Sequence, residues 1–406
     1  MVGHGFMGAA HSVGWRQAPR QFELPQDVEM SVLVGRQLPA TKASAEKWGW
    51  QECSTDWRSV IERDDIDIVD IVTPSETHAE IAIAALAAGK HVLCEKPLAN
   101  TLDEANAMAA AAAEAARAGV RTMVGFTYRR VPAIALMREQ IAQGAIGRVQ
   151  QVRASYRQDW LVDPEAPLTW RLKKELAGSG ALGDIGAHAI DLAQFVTGSE
   201  ILHVSGVIDT IVSRRPVTRA TLADPRPELG EVTVDDIALF TGRFANDALG
   251  SFEATRFATG RKNELSIEVS GDAGALAFNL EDLNSLNYYD RSAPTRLQGF
   301  VKILVTEPDH PYLEGWWPAG HMLGYEHGFA HQVKDLVEAI SDKRPTHPSF
   351  SEGLRVQQVL DAVQRSAGRG AVWTAVRDPT GNGTGSTPLI PSEPQRRADH
   401  ARSRNH

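Results

Sequence analysis

The sequence predicts an α/β chain: a doubly wound parallel sheet with crossover helices, then an α+β unit on a large, mostly antiparallel open sheet. Three observations predict it. Short apolar strand runs alternate with helical patterns through the first third of the chain. A Gly-x-Gly-x-x-Gly spacing, Gly3, Gly5 and Gly8, stands at the start. Period-two alternation takes over at Ile237–Phe244 and Leu249–Arg256, the pattern of a sheet covered on one face.

Met30–Val34, Ile68–Val72, His91–Cys94 and Thr122–Phe126 read as short buried strands. The spacing between them predicts helices over Thr41–Trp48, Trp57–Glu62, Thr77–Ala88 and Leu102–Ala118, after a first helix from Met7 to Trp15. The alanine-rich helix has its own start signal, because Thr101 followed by Glu104 can satisfy two orphan amides as a capping box. After Tyr128 come one helix, Val131–Gln143, a strand, Arg148–Arg157, and a glycine-rich helix start near Gly178. Strand-rich sequence runs from Ile201 to Phe278, and helices return over Tyr325–Ile340 and Leu354–Ser366. We divide the chain into a dinucleotide-binding domain over 1–127, a substrate-binding and oligomerisation domain over 128–376, and a disordered tail over 377–406, where Gly, Pro, Ser and Thr crowd.

At 406 residues, the chain has room for two or three domains of ~150 residues. The 43% hydrophobic content suits a globular core, and no apolar run approaches the ~18 residues of a membrane span. A net charge of −9 makes a nucleic-acid partner a poor expectation. Cys53 and Cys94 match no metal or redox spacing and read as buried thiols. No secretion signal is readable, so a cytoplasmic location is the expectation.

A glycine run of this spacing lets backbone amides approach a pyrophosphate and aims a helix N-terminus at its charge. Gly3, Gly5, Phe6, Met7 and Gly8 are therefore candidate cofactor residues. The second strand of such a unit normally ends in an acid that holds the adenosine ribose. Here Val34 runs into Gly35-Arg36-Gln37, with no acid before Glu46. Arg36 either meets a 2′-phosphate, which gives a slight lean to NADP over NAD, or stacks on the adenine and discriminates nothing. The turns Thr73-Pro74-Ser75-Glu76-Thr77-His78 and Glu95-Lys96-Pro97 fall at strand C-terminal ends, where open α/β sheets bind ligands. Position alone leaves Lys96 either a surface charge or a catalytic one.

Asp184 and His188 are four apart, so on a helix they share a face, with Asp191 three further on. Imidazole titrates in the range a general base needs. The pair is equally readable as a structural cap or as half of a metal site. His327 and His331 also stand four apart, but Gly328 occupies the place of a zinc protease's glutamate, and we read both as helix-surface or interface residues. No metal site is assigned. Tyr156-Arg157-Gln158-Asp159-Trp160, Trp170-Arg171 and Tyr325 supply the planar polar and aromatic groups that a sugar site uses. Trp316 and Trp317 suit packing better than binding.

Taken together, Gly3–Gly8, Thr73-Pro74 with His78, Gly89–Ala99 around Glu95-Lys96-Pro97, Gly125–Arg130 and Gly178–Gly198 resemble the Gfo/Idh/MocA oxidoreductases over roughly residues 1–370, nearest to the branch of levoglucosan and glycoside 3-dehydrogenases. The resemblance implies a Rossmann-type N-terminal domain and a C-terminal sheet that carries the substrate and forms a dimer or tetramer. It implies Lys96, Asp184 and His188 as catalytic residues. It implies Thr73, Pro74, His78, Glu95, Lys96, Trp170 and Arg171 beside the glycine loop and Arg36 at the cofactor. Lys96, Tyr128, Gln158, Asp184, His188 and Tyr325 are implied at the substrate. The function implied is hydride transfer between NAD or NADP and a secondary hydroxyl, C3 being the expected position, of a sugar, anhydrosugar, glycoside or cyclitol such as inositol. His188 is assigned as base and Lys96 as stabiliser of the alkoxide, the reverse being open. A glycosidase that uses NAD transiently and a non-catalytic, cofactor-sensing regulator are the rival readings. This fold also places a strand of about five residues before the first glycine, where the chain shows Met1 and Val2. The expectation is a central slot left short, poor cofactor binding or folding, and a natural start upstream.

Overall fold

The computed structural model describes residues 1–219 and 227–377, so the expected tail lies outside the described residues except for Arg377. The first layer is built from α1 (Phe6–Gln21), β1 (Val32–Val34), α2 (Leu38–Trp48), β2 (Glu52–Ser54), α3 (Trp57–Ile61), β3 (Ile68–Ile71), α4 (His78–Ala87), β4 (His91–Cys94), α5 (Leu102–Arg117) and β5 (Thr122–Val124). β1 pairs in parallel with β2, and β3, β4 and β5 pair in parallel with one another. Val2 bridges the two groups, pairing in parallel with Val34 and Ile71.

The central slot, expected to stand short, is occupied by Met1–Gly3. Val2 N donates to the Asp70 carbonyl at 2.7 Å and Gly3 N to that of Val34 at 2.8 Å, while Val34 N and Val72 N donate back to Met1 and Val2. Three residues suffice because the flanking strands are themselves only three and four long, so both ladders close with Met1 and Val2 buried. β2, at the edge, was absent from the sequence reading. Its residues are half exposed and carry no apolar run, so periodicity could not mark it.

Helix α1 continues past the predicted end at Trp15 because Trp15, Ala18 and Phe22 bury against Ala330, Val333 and Val337 of a late helix. The crossing is close: a Cβ on Gly14 would stand 2.8 Å from the main chain of Phe329. Helix α5 begins as predicted. Thr101 Oγ1 accepts from Glu104 N at 3.2 Å and the Glu104 carboxylate accepts from Thr101 N at 3.0 Å. Thr101→Ala is expected to cost ~1 kcal/mol, measured as a lower denaturant midpoint with unchanged catalysis, since the cap lies on the solvent side.

The second layer comprises α6 (Pro132–Ala142), β6 (Val149–Arg157), α7 (Lys174–Ala177), α8 (Ala187–Thr197), β7 (Ile201–Asp209), β8 (Arg214–Pro216), β9 (Leu229–Glu231), β10 (Ile237–Phe244), β11 (Leu249–Thr255), β12 (Glu264–Gly271), β13 (Gly274–Asn279), β14 (Ser285–Asp290), β15 (Val301–Leu304), α9 (His327–Ser341), α10 (Phe350–Ala367) and β16 (Thr374–Ala375). Its large sheet has the order β15-β14-β13-β12-β6-β11-β10-β7-β16 among the described residues. All neighbours are antiparallel except β6 and β11, so the predicted class holds, and the sheet extends past Phe278 to Leu304. In β10 burial alternates residue by residue, and Phe240 stacks on Phe252 of β11 at 4.5 Å between ring centroids. Helix α8 covers this inner face, with Ala189, Ile190, Ala193 and Val196 buried in the shared core.

Candidate active site

A cleft of about 1210 Å³ opens between the C-terminal ends of the parallel strands and the inner face of the large sheet. This exceeds the usual single-ligand pocket and suits a dinucleotide with a second, smaller molecule. Its floor is the glycine loop. Gly3 has φ +105°, and a Cβ there would lie 2.8 Å from the Val72 carbonyl, so only glycine fits. Gly8 is buried and off the cleft wall; a Cβ there would meet the Gly3 carbonyl at 2.8 Å, so its part is to let α1 close on the loop. Gly5 faces open space and is the N-cap of α1, whose first turn has neither a side-chain cap nor an acid. Free amides and the positive end of a 16-residue helix thus point into the cleft, the demand a pyrophosphate makes. Phe6 is exposed and stacks on Tyr325 at 6.5 Å, whereas Met7 packs inward beside Leu33 and Val72. Arg36 is exposed on the cleft wall just beyond β1.

Lys96 follows β4 and Asp184 lies in a π-turn, Leu182–Gly186, that feeds α8. Lys96 Nζ donates to the Asp184 main-chain carbonyl at 2.7 Å and to Oδ1 at 3.1 Å. Asp184 Oδ2 accepts from Arg256 Nη2 at 2.9 Å. Burial opposes charge on this carboxyl, yet Lys96, Arg256 and Arg171 hold it well below the usual carboxylate range. Asp184 is therefore an ionised anchor with both oxygens engaged, and no hydrogen bond joins it to His188 among the described residues. The His188 ring lies against Tyr128 at 4.7 Å, with Phe126 and Tyr156 at 5.9 Å. Burial and the Lys96 ammonium push its pKa well below the ordinary value, so it is a neutral imidazole at pH 7. The π-turn is held by Asp235, whose carboxylate accepts from Gly180 N at 2.8 Å and Leu182 N at 2.7 Å. Gly180 is obligatory there, because a Cβ would fall 1.7 Å from the Asp235 carbonyl. Asp191 turns away from the cleft and pairs with Arg129.

Beneath Lys96 lies a buried charged triad that sequence inspection missed. His11 Nδ1 meets the Asp70 carboxylate at 3.0 Å, and its Nε2 meets Glu95 Oε1 at 3.0 Å. Trp15 Nε1 donates to Asp70 at 2.7 Å and Lys96 N to Glu95 Oε2 at 3.1 Å. Burial disfavours a charged imidazole, but the two carboxylates outweigh it and raise His11 to about 10. The triad ties α1 and β3 to the Lys96 turn. His78 ties the other wall: buried, its ring nitrogens meet the Pro97 and Thr73 carbonyls at 3.1 and 3.0 Å. Thr73 is further fixed by the Thr77 hydroxyl at 2.7 Å. Thr73, Pro74, His78, Glu95 and Lys96 all border the cleft.

On the substrate side Tyr128 OH and Tyr156 OH share a 2.8 Å hydrogen bond, and Asn263 Oδ1 accepts from Tyr156 OH and Gln158 Nε2, both at 2.7 Å. Gln158 Oε1 accepts from Trp160 Nε1 at 2.9 Å. Burial raises both phenols, which stay neutral donors. Tyr325 borders the cleft two residues before α9 begins at His327, rather than opening that helix as expected. Trp170 and Arg171 form a 3₁₀ turn on the cleft wall, the guanidinium 4.5 Å from the indole.

Of the residues assigned from the sequence to catalysis, cofactor or substrate, all but Gly8 border the cleft, while Asp191, Arg157 and Asp159 lie off it. Asn263, Arg256, Asp235 and His11 were missed. None has a local motif, since each acts through partners far along the chain; the one available signal was that Arg256 and Asn263 stand at or beyond strand ends. His331 corrects the surface reading: it is fully buried, with Nδ1 at 2.9 Å from the Arg130 carbonyl and Nε2 accepting from Trp316 Nε1 at 2.7 Å, and burial lowers it to about 3. Tyr312 stacks on its ring at 4.5 Å and Phe22 and Trp316 flank it, which its spacing alone could not reveal. Cys94 is buried, but Cys53, on edge strand β2, is half exposed. Among the described residues no group of three or more His, Cys, Asp or Glu is placed to hold a metal. No helix there is long and apolar enough to cross a membrane.

Residues 1–126 match the oxidoreductase family with an NAD-binding Rossmann fold, and residues 134–277 match the GFO/IDH/MocA C-terminal domain. The chain is 40% identical to levoglucosan dehydrogenase of Pseudarthrobacter phenanthrenivorans over 91% of its length and 95% of that protein. It is 28% identical to inositol 2-dehydrogenase of Rhizobium meliloti over 74% of its length and 78% of that protein. Among solved structures, an oxidoreductase domain protein from Kribbella flavida superposes with a TM-score of 0.89 at 58% identity, covering 93% of this chain and 98% of that one. Levoglucosan dehydrogenase in complex with NADH and levoglucosan superposes with a TM-score of 0.87 at 40% identity and the same coverage.

Proposed function

From the premise that the chain belongs to the Gfo/Idh/MocA family of oxidoreductases, we propose that it is an NAD-dependent dehydrogenase oxidising a secondary hydroxyl, at C3, of a pyranose-like anhydrosugar or glycoside. The observation that carries the reading is the meeting of Lys96, Asp184 and His188 in one cleft with the uncapped N-terminus of α1. Bound NAD supplies the hydride acceptor. The open cradle at Gly5 and the uncapped α1 amides suit its pyrophosphate, and Arg36, Thr73, Pro74, Trp170 and Arg171 line the remaining wall.

His188, neutral and half-buried, takes the hydroxyl proton as the C–H bond gives up its hydride. Lys96 spends two N–H donors on Asp184 and keeps a third for the same oxygen, where negative charge develops. Tyr128, Gln158 and Tyr325 orient the ring. We assign residues 1–127 to the cofactor and 128–376 to the substrate. A dimer or tetramer through the large sheet is supported by Val207 and Leu239, register partners that are both exposed on its outer face. The free thiols and the dinucleotide requirement suit the cytoplasm.

The test is absorbance of reduced cofactor with a panel of anhydrosugars, glycosides and inositols, run with NAD and NADP. Reduction of NAD by levoglucosan or a glycoside is expected; sugar release without net reduction would instead identify a glycosidase. Arg36 leaves a place for a 2′-phosphate, so Arg36→Ala is expected to lower any NADP activity about tenfold, the worth of one charge-assisted contact, while leaving NAD activity unchanged. Equal loss with both cofactors would give Arg36 to the adenine.

A further inference from the structure

Asp184 is shared by two cations, only one of which the catalytic reading uses. Arg256 immediately follows β11, and its side chain is 1% exposed. Nη2 meets Asp184, while Nε and Nη1 are buried without a partner among the described residues. Its Cζ lies 5.3 Å from the ring centroid of Trp160, which in turn is held by Gln158. A guanidinium with two unpaired buried donors is costly to fold. Asp184 is the one side-chain acceptor it meets among the described residues, while Oδ1 of the nearby Asp236 is buried without a partner. Asp236 spends Oδ2 on the amides of Ile211 and Val212, and burial raises its pKa.

We propose that Arg256 is a positioning residue: it fixes Asp184 as the anchor of Lys96, and it leaves the Lys96–Asp184–Arg256 trio one net positive charge, which Lys96 delivers into the cleft. Through Trp160 and Gln158 the same guanidinium connects the proton-transfer groups with the substrate wall. The proposal rests on the reading of Lys96 and His188 as catalytic.

The groups facing His188 are Lys96 after β4, Asp184 on the π-turn, Tyr128 in the turn before α6, and Tyr156 on β6, with Arg256 behind Asp184. Removing a cation from this set makes protonation of His188 easier. Arg256→Gln is therefore expected to move the acid limb of the kcat/KM profile to higher pH by about one unit and to lower kcat by about 10²-fold, with KM for NAD unchanged. Arg256→Lys, which keeps the charge, is expected to retain the wild-type limb and lose less than about tenfold in kcat. Dinucleotide affinity by fluorescence and the thermal midpoint are recorded for each variant.

An unshifted limb in Arg256→Gln, or a shifted one in Arg256→Lys, overturns the proposal. If Arg256→Gln does not fold, Arg256→Lys decides alone. Lys96→Ala and His188→Ala run in the same assay separate the two layers. If they keep full activity, the catalytic reading has failed; if they are inactive while Arg256→Gln keeps the wild-type profile, only the role of Arg256 has.

Discussion

His188→Ala and Lys96→Ala are each expected to lower kcat for sugar oxidation by about 10²–10⁴-fold, the usual worth of a positioned acid–base group, with dinucleotide affinity nearly unchanged. The two losses arise differently. Without His188 the hydroxyl proton has no acceptor on the apolar side of the cleft, where Phe126, Tyr128 and Tyr156 crowd the ring. Without Lys96 the forming alkoxide loses its nearest cation, and Asp184 keeps only Arg256. The pH profile separates these roles. His188 must be unprotonated to act, and its pKa lies well below 6.5, so wild-type kcat/KM rises only at acid pH and is level above neutrality. Lys96→Ala removes the cation that depresses it, so the limb moves up; His188→Ala abolishes the limb. A His188→Ala enzyme within tenfold of wild type, with the limb intact, would show that another group takes the proton.

The second large effect concerns stability. His11→Asn leaves Asp70 and Glu95, both nearly fully buried, facing each other without a cation. Breaking a buried ionic cluster in this way costs about 3–5 kcal/mol. The sign of the pH dependence follows from linkage. The folded pKa of about 10 lies above the unfolded 6.5, so the contribution is fully present below pH 6.5 and is lost as pH rises through about 10. Urea midpoints of the wild type should therefore fall between neutrality and about pH 10, whereas those of His11→Asn should start lower and change less. Equal midpoints for both proteins at neutral pH would mean that the triad is not ionised. Because Glu95 also accepts from Lys96 N, the variant is further expected to loosen the Lys96 turn and lower kcat in the fraction that remains folded.

Much of this molecule follows from local sequence rules. The parallel strands, the capping box at Thr101 and the alternation along β10 and β11 obey local rules, in which a residue's neighbours in sequence dictate its face and its dihedral angles. That Lys96, Asp184 and His188 share one cleft agrees with their residue types, their places in a turn and a helix start, and the resemblance that grouped them.

Their surroundings were not legible. Arg256 reaches Asp184 across 72 positions, Asp235 caps the π-turn across 55, and His11 joins Asp70 and Glu95 across 59 and 84. A polar residue's meaning in such a case depends on which partner shares its burial, and burial is a property of packing. His331 shows the cost of leaving packing out: at helical spacing from His327 it reads as a helix-surface or interface residue, yet Phe22, Tyr312 and Trp316 enclose it. The short first strand makes the same point for the backbone. By resemblance to the family fold, Met1 and Val2 read as too few for a central strand of about five residues. What decides the matter is the length of the strands on either side, because a hydrogen-bond ladder needs only as many residues as its neighbours present.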